Sequence, residues 1–501
     1  MTLDTAKPLA EIAESEESLE SRFSSKLQVN PVLNRQLVSF QANKRLSGYR
    51  WFKYKEGFSA PLINYIFKEL GIKSGRVLDP FAGMGTTLFV AAELGLMSTG
   101  IELLPVGCEI IEARKLALRS NRDELVSSLS QWWKEKLWKS ADTSRPFPHL
   151  RITQGAFPPD SEEDLCKFLA LAEPELGPTR KLLRFAVLCI LEEISFTRKD
   201  GQYLRWDERS GRRQGAKPFN KGHIAAFDVA IDRKLREICQ DLLTPSAGLL
   251  SPFRCDDSTA DIELLKGSCL EILPTMDENT FDCIVTSPPY CNRYDYTRTY
   301  ALELAMLGVG EEGVRNLRQT MLSCTVENRE KNSLPDIYND TLVEGAKETF
   351  EQQQPLSKIL TYLDDCKEAK LLNNDGIARM VRNYFWEMTL LLFEAARVLK
   401  PGSPFVMVND NVRYQGATIP VDLILSDIAE KAGFEIERIW VLPNGKGNSS
   451  QQMGMHGREE LRKSVYIWRV AKAKPAKMQN HQPVSQSLDS PREPAFQPGD
   501  R

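Results

Sequence analysis

A strand, a glycine-rich turn, a helix and a second strand follow one another between residues 76 and 102, and this order constrains the fold most. Residues 76–79 have the apolar character of a short buried strand, and the sequence Pro-Phe-Ala-Gly-Met-Gly comes directly after it. A helix is predicted from Thr86 to Leu94, and the next strand ends at Glu102. Two strands joined through a helix lie parallel in one sheet, so the pattern predicts an open α/β sheet.

The turn of this unit favours a nucleoside ligand. Gly83 and Gly85 let the backbone approach a ligand closely, and Thr86 begins a helix whose free N–H groups face the same place. An acid at the end of the second strand, here Glu102, typically binds ribose hydroxyls. The turn lacks both the Lys-Ser/Thr of a phosphate-binding loop and the third glycine of the dinucleotide fingerprint, which favours a ligand without a pyrophosphate. S-adenosylmethionine fits, with its adenosine at Glu102 and its amino acid at the turn.

A second feature, residues 281–290, begins as a buried strand and ends as a stiff loop. Ile284 and Val285 are β-branched, whereas Pro288 and Pro289 cannot continue a strand because they lack amide donors. The loop is predicted at the carboxyl end of its strand, which is the edge of an open α/β sheet where ligands bind. Together with its carbonyl groups, the Ser287 hydroxyl and the aromatic ring of Tyr290 suit a planar base that carries an amino group.

Two long insertions interrupt the sheet pattern. In the first, residues 196–221 carry eight basic residues against three acidic ones, with aromatic residues among them. Basic side chains bind phosphate and aromatic rings stack on bases, so this stretch is the nucleic-acid candidate; a solvated loop with packed aromatics is the alternative. The second insertion follows the stiff loop. Two roles are compatible with its sequence: it closes over the substrate, or it forms a buried helical scaffold. The predicted nucleic-acid contacts are Arg198, Lys199, Tyr203, Arg205, Trp206, Arg209, Arg212, Arg213 and, from the segment after the stiff loop, Arg293.

The composition excludes several other classes. The 501 residues carry a formal net charge of −3, which argues against a uniformly basic nucleic-acid coat. Ten cysteines include no C-x-x-C pair and only four histidines occur, so no metal site is predicted. Scattered cysteines and the lack of a long apolar run indicate a cytoplasmic protein with no membrane contact.

These motifs together resemble those of the amino-group DNA methyltransferases, the S-adenosylmethionine-dependent enzymes that modify exocyclic amines of cytosine or adenine. Residues 79–87 are similar to the cofactor motif of the family, and residues 286–290, Thr-Ser-Pro-Pro-Tyr, to its catalytic motif. Residues 52–59 resemble the segment that packs against the methionine end of the cofactor. The resemblance implies a Rossmann-like class I methyltransferase sheet with helical insertions. The cofactor-binding residues that it implies are Tyr54, Phe58, Asp79, Phe81, Gly83, Gly85, Thr86, Glu102 and Ser268.

The same resemblance assigns catalysis to Ser287, Pro288, Pro289 and Tyr290. An aromatic amine is a poor nucleophile because its lone pair is conjugated with the ring, and hydrogen-bond acceptors at Ser287 and the Pro288 carbonyl localise that pair. Tyr290 stacks on a base flipped out of the duplex. Serine at the first position resembles the cytosine-N4 enzymes, so site-specific DNA methylation at cytosine N4 is favoured over adenine N6. An RNA base methyltransferase and a non-catalytic nucleic-acid-binding subunit on the same scaffold remain the alternatives.

DNA is the predicted partner, and a cognate nuclease or another defence component is compatible with the sequence. The predicted organisation is a disordered or frayed N-terminus (1–28), the cofactor half of the methyltransferase domain (29–110), an inserted helical and basic domain (111–261), the catalytic half (262–300), a second helical insertion (301–379), the closing strands and helices (380–470) and a disordered tail (471–501).

Overall fold

A computed structural model of the protein describes residues 4–55, 57–200, 203–213, 217–244, 261–443 and 461–472. The predicted tail lies outside this range from residue 473 onward. Within the described residues the strands are β1 (Leu27–Val29), β2 (Arg76–Asp79), β3 (Met97–Glu102), β4 (Thr197–Asp200), β5 (Tyr203–Trp206), β6 (Ile262–Lys266), β7 (Cys283–Thr286), β8 (Pro404–Asp410), β9 (Val412–Tyr414), β10 (Ala417–Ile419), β11 (Phe434–Val441) and β12 (Lys463–Val470).

Helices surround these strands and fill the insertions. Over the same described residues they are α1 (Ala6–Phe23), α2 (Ala60–Glu69), α3 (Thr86–Glu93), α4 (Pro105–Arg119), α5 (Arg122–Glu135), α6 (Pro159–Ala172), α7 (Gly177–Ile194), α8 (Phe227–Leu243), α9 (Cys269–Ile272), α10 (Tyr296–Thr299), α11 (Ala301–Met306), α12 (Glu311–Thr320), α13 (Asp340–Glu351), α14 (Gln354–Glu368), α15 (Ile377–Val398) and α16 (Val421–Lys431). No helix of the described chain combines the length and the apolar character that crossing a membrane requires.

Eight of the described strands form one sheet in the order β1-β11-β12-β8-β7-β2-β3-β6. Strand β12 runs antiparallel to both of its neighbours, and the other pairings are parallel. The chain goes from β2 to β3 and β6 on one side and returns to β7 and β8 on the other. The crevice at the carboxyl ends of β2 and β7 is therefore the topological switch point where ligands bind in such sheets. The predicted α/β class with a Rossmann-like sheet is confirmed.

Alternate residues of the central strands pack into two different cores. Val406 and Val408 of β8 pack in the same core as residues of α2 and α3, whereas Phe405 and Met407 pack with α15 and α16. Successive side chains of a strand point to opposite faces, so this division requires helices on both sides of the sheet. Every residue of β7 and β8 is buried, which fixes the loops that leave their ends.

The N-terminus differs from its predicted frayed or disordered state. Helix α1 buries Ile12, Leu19 and Phe23 and packs against α14 and α16. Arg22 at its end forms ion pairs with Asp427 and Glu430, and β1 then adds to the sheet edge in parallel with β11. The prediction was wrong because these few apolar residues share one helix face whose partners lie far along the chain.

The first insertion forms a helical layer with a core of its own. Helices α5, α6, α7 and α8 enclose Trp132, Trp138 and Phe168, whose rings pack edge to face or tilted. The hairpin of β4 and β5 extends from the end of α7. This layer contacts the sheet domain through α4 and through Trp51, Phe52 and Tyr54, which are called here the aromatic segment.

Candidate active site

The turn after β2 has the backbone geometry that only glycine adopts easily. Gly83 and Gly85 have φ values of 55° and 77°, which are in the left-handed region. A Cβ atom on Gly85 would also lie 2.8 Å from Cγ1 of Ile111, so helix α4 packs directly against the turn. Both constraints hold the turn in one shape, with the amino end of α3 directly behind it.

A cavity, called here the first cavity, opens above this turn, and its volume, counted together with the part that is open to solvent, is about 760 Å³. Seven of the nine predicted cofactor-binding residues line it: Tyr54, Phe58, Phe81, Gly83, Thr86, Glu102 and Ser268. Asp79 and Gly85 lie behind its wall instead. Residues that the sequence analysis missed complete the lining, among them Leu103, Leu104, Cys269, Tyr296, Met321 and Leu322. The last two come from the second insertion, and sequence spacing gives no signal for them.

Glu102 presents a carboxylate at the end of β3. Its Oε2 accepts a hydrogen bond from the Gly83 N–H at 2.6 Å, and its Oε1 accepts one from the Leu104 N–H at 2.7 Å. Burial raises its pKa to about 8, although these two backbone hydrogen bonds act in the opposite direction. The carboxyl group is thus held in a fixed orientation and is mostly protonated at neutral pH.

Asp79 joins the two strands beside the switch point. One carboxylate oxygen accepts hydrogen bonds from the Thr286 hydroxyl at 2.7 Å and from the Phe81 N–H at 3.1 Å. The side chain is fully buried, and burial raises its pKa to about 6. Asp79 therefore positions the glycine-rich turn against the end of β7 and does not reach the first cavity.

The stiff loop after β7 separates the first cavity from a neighbouring one. Ser287 and Pro289 line the first cavity, whereas Tyr290 lines the neighbour, and Pro288 is buried between them. The Ser287 hydroxyl donates to the Val408 carbonyl at 3.1 Å and lies 3.2 Å from the Tyr290 hydroxyl. A hydroxyl that donates a hydrogen bond still has lone pairs on its oxygen, so Ser287 can also accept a hydrogen bond from a ligand.

Lys463 of β12 fixes Tyr290 from the other side. Its Nζ donates to the Tyr290 hydroxyl at 3.2 Å and lies 2.9 Å from a carboxylate oxygen of Asp410. The lysine is 9% exposed, so this contact lies largely out of water. Lys463 was not predicted as a site residue, because no local pattern relates β12 to the loop.

The neighbouring cavity, called here the second cavity, shares Tyr54 and Gly57 with the first. Tyr54 stacks on Tyr300 with ring centroids 5.2 Å apart, and the Tyr300 hydroxyl accepts a hydrogen bond from the Lys55 N–H at 2.7 Å. The Tyr54 ring thus forms a rigid partition. Three segments that are distant in sequence meet there: the aromatic segment, the stiff loop and Tyr300 between α10 and α11.

The basic stretch of the first insertion is only partly available to a ligand. Lys199 was predicted to contact nucleic acid, and this is wrong: it is 5% exposed, forms an ion pair with Glu303 and lies over the Tyr300 ring at 4.8 Å. The alternation of β4 points Lys199 inward, whereas its neighbour Arg198 is exposed. The hairpin is therefore joined to the wall of the active site.

Other predicted contacts in the stretch have internal partners. Arg209 binds the Asp207 carboxylate through Nε at 2.6 Å and holds the pKa of that carboxyl well below its usual range. Arg212 donates to the Gln154 carbonyl at 2.7 Å and covers the ring of Trp206 at 3.6 Å. Both arginines thus stabilise the insertion.

The remaining predicted contacts divide by exposure. Arg213, like Arg198, is exposed, whereas Arg205 is half-buried over the Phe219 ring at 4.1 Å. Arg293 donates to Asn373 at 2.9 Å and has a positive φ of 67°. The side chain of Tyr203 and residues 201 and 202 lie outside the described structure.

Known proteins have sequences similar to that of this chain. Residues 14–113 match the model of the N6/N4 methyltransferase family, described as DNA methylase. The Type II methyltransferase M.AvaI of Nostoc sp. is 52% identical over 460 residues, which cover 92% of this chain and 94% of that protein. The Type II methyltransferase M.BsoBI of Geobacillus stearothermophilus is 41% identical over 471 residues, covering 90% and 91% respectively. Similarity thus extends across both insertions.

Proposed function

Because this chain belongs to the DNA methylases of the N6/N4 class and is a Type II DNA methyltransferase of a restriction–modification system, we propose that its substrate is a cytosine flipped out of DNA. It transfers a methyl group from S-adenosylmethionine to N4 of that cytosine. The observation that carries the proposal is the position of the stiff loop. Ser287 borders the first cavity and Tyr290 borders the second, so one loop faces both a methyl donor and a target base.

The first cavity fits S-adenosylmethionine by the chemistry of its lining. Glu102 offers a fixed carboxylate for ribose hydroxyls, and the side chains of Leu104, Met321 and Leu322 offer an apolar slot for a planar base. A Cβ atom on Gly83 would lie 3.3 Å from the Tyr54 ring, so a larger residue would crowd this part of the wall. When bound, the cofactor supplies an electrophilic methyl group on a sulfonium.

The loop residues would hold the target amine. Ser287 Oγ accepts one N–H of the amine and the Pro288 carbonyl accepts the other, which draws the nitrogen lone pair away from the ring and stabilises the charge that develops. The Tyr290 ring stacks on the base, and its hydroxyl is held by Ser287 and Lys463. Positioning supplies much of the rate acceleration, because the loop is fixed before the base arrives.

The choice of cytosine N4 rests on Ser287, since serine at this position resembles the cytosine-N4 enzymes. The exposed Arg198 and Arg213, with the half-buried Arg205, remain the proposed DNA contacts of the first insertion. The proposed functional partner is a nuclease that recognises the same DNA sequence as this methyltransferase.

Mass spectrometry of nucleosides tests the proposal. Purified protein is incubated with plasmid DNA and S-adenosylmethionine labelled on the methyl group, and the DNA is digested to nucleosides. Label in N4-methylcytosine is expected, and Ser287→Ala and Tyr290→Ala are expected to abolish it while binding the cofactor normally. Label in N6-methyladenine would overturn the cytosine assignment. Transfer to RNA without transfer to DNA would overturn the proposed substrate.

A further inference from the structure

The second cavity is strongly basic. Four cationic side chains line it, namely Arg35, Lys53, Lys55 and Lys463, and its described lining includes no carboxylate. Polar lining from Ser39 and Gln41 adds hydrogen-bonding groups. A cavity with this lining attracts an anion, and it adjoins Tyr290, where the target base is proposed to stack.

Two of these lysines form no ion pair, although the carboxylate of Glu192 interacts electrostatically with both of them. Lys463 is paired with Asp410 at 2.9 Å, but within the described part of the chain neither the Lys53 nor the Lys55 ammonium forms an ion pair. The pKa of Lys53 is lowered by burial and by the charges of Lys55, Lys44 and Lys199, while Glu192 acts in the opposite direction. Positive charge therefore accumulates here, and an anion would relieve it.

Lys53, which is exposed, and Lys55, which is half-buried, both line the cavity. They alternate with aromatic residues that are buried, since Phe52 and Tyr54 are 2% and 6% exposed. The Lys55 N–H is held by the Tyr300 hydroxyl at 2.7 Å, which fixes the segment where it passes the cavity. Lysines that interrupt an aromatic core segment have no packing reason to be there, whereas a ligand on the exposed side explains them.

We infer that Lys53 and Lys55 form a phosphate clamp that binds the phosphodiester groups flanking the flipped nucleotide. Their ammonium groups act as point charges on phosphate oxygens, with Arg35 beside them at the same cavity. The clamp contacts no base edge, so it contributes to DNA affinity and to the position of the nucleotide, not to the choice of sequence. The inference rests on the proposed function, because it places the nucleotide by the base that stacks on Tyr290.

Salt dependence of catalysis tests the clamp. The variant Lys53→Gln/Lys55→Gln is compared with wild type on a plasmid that the wild-type protein methylates, and kcat/KM for DNA is measured at several salt concentrations. The plot of log(kcat/KM) against log[salt] has a negative slope, and each lost phosphate contact makes this slope less steep by about 0.9. The slope of the double variant is therefore expected to be less steep than that of wild type by about 1.8. The KM for DNA rises, and the affinity for S-adenosylmethionine stays unchanged.

Two matched variants separate charge from structure. Lys53→Arg/Lys55→Arg keeps both charges and is expected to retain most of the wild-type slope. Lys73→Gln removes an exposed lysine that precedes β2, at the amino edge of the sheet away from the cavity, and is expected to change nothing. A wild-type slope in the glutamine double variant would overturn the clamp while leaving the methyltransferase proposal intact. Absence of methyl transfer by the wild-type protein would instead overturn the proposed function.

Discussion

Glu102 makes cofactor binding depend on pH in a direction that its surroundings fix. Its pKa is about 8 in the folded protein, because burial outweighs the hydrogen bonds from Gly83 and Leu104. At pH 7, ionising the carboxyl therefore costs about 1.4 kcal/mol. Ribose hydroxyls donate to the ionised form, so the affinity for an adenosine ligand is expected to rise by about tenfold from pH 7 to pH 9 and to level off above.

Calorimetry with methylthioadenosine measures this dependence. The ligand contains the adenosine and the thioether but no amino acid, so it does not titrate in this pH range. Glu102→Gln is expected to bind more weakly at pH 9 and to show a flat profile, since glutamine does not ionise. Its amide N–H₂ also faces one of the two backbone N–H donors, which is expected to destabilise the fold by about 1–3 kcal/mol. A wild-type profile that is flat, or that falls with rising pH, would refute the role given to the carboxylate.

Three further perturbations follow from the contacts described above. Tyr290→Phe keeps the ring but removes the hydroxyl that Lys463 binds, so the rate of methyl transfer is expected to fall by about tenfold. This loss is far smaller than the loss expected in Tyr290→Ala. Equal losses in the two variants would contradict a stacking role. Asp79 has its pKa raised from 3.8 to about 6, so its folded form retains a proton that the unfolded form has released. The free energy of unfolding of wild type in urea should therefore fall by about 2.4 kcal/mol between pH 4 and pH 7 relative to that of Asp79→Asn, and parallel profiles would contradict this. Lys199→Met leaves Glu303 buried without its partner and is expected to lower the free energy of unfolding by about 3–5 kcal/mol. Denaturation with urea measures this decrease. Lys199→Met/Glu303→Gln should recover much of the lost stability and bind DNA normally.

The central unit of the fold could be predicted because its chemistry is local. Gly83, Gly85 and the proline pair each restrict the backbone where they stand, and the order of strand, turn and helix around them leaves one parallel arrangement. The switch point follows from this order. For the same reason, Glu102 and Ser287 could be assigned to one edge of the sheet before any contact was known.

Contacts between distant segments could not be predicted in this way. Lys199 was misassigned because its partner, Glu303, belongs to the second insertion, and a count of charges in a segment does not show which charges are internally paired. Lys221 of the same stretch likewise donates its ammonium to the carbonyl groups of Glu192 and Ser195. A segment rich in basic residues therefore does not always form a positively charged surface.

The first cavity has a consequence for the lifetime of the protein. Its lining comes from seven parts of the chain that are separated in sequence, at residues 54–58, 80–86, 101–104, 267–269, 287–289, 296 and 321–322. A bound molecule joins them as a non-covalent cross-link, and all of them must separate from it before the chain unfolds. A ligand at a hundred times its Kd that binds only the folded state adds about 2.7 kcal/mol to the free energy of unfolding. The supply of methyl donor in a cell would then govern how long this enzyme survives proteolysis, in addition to how fast it works.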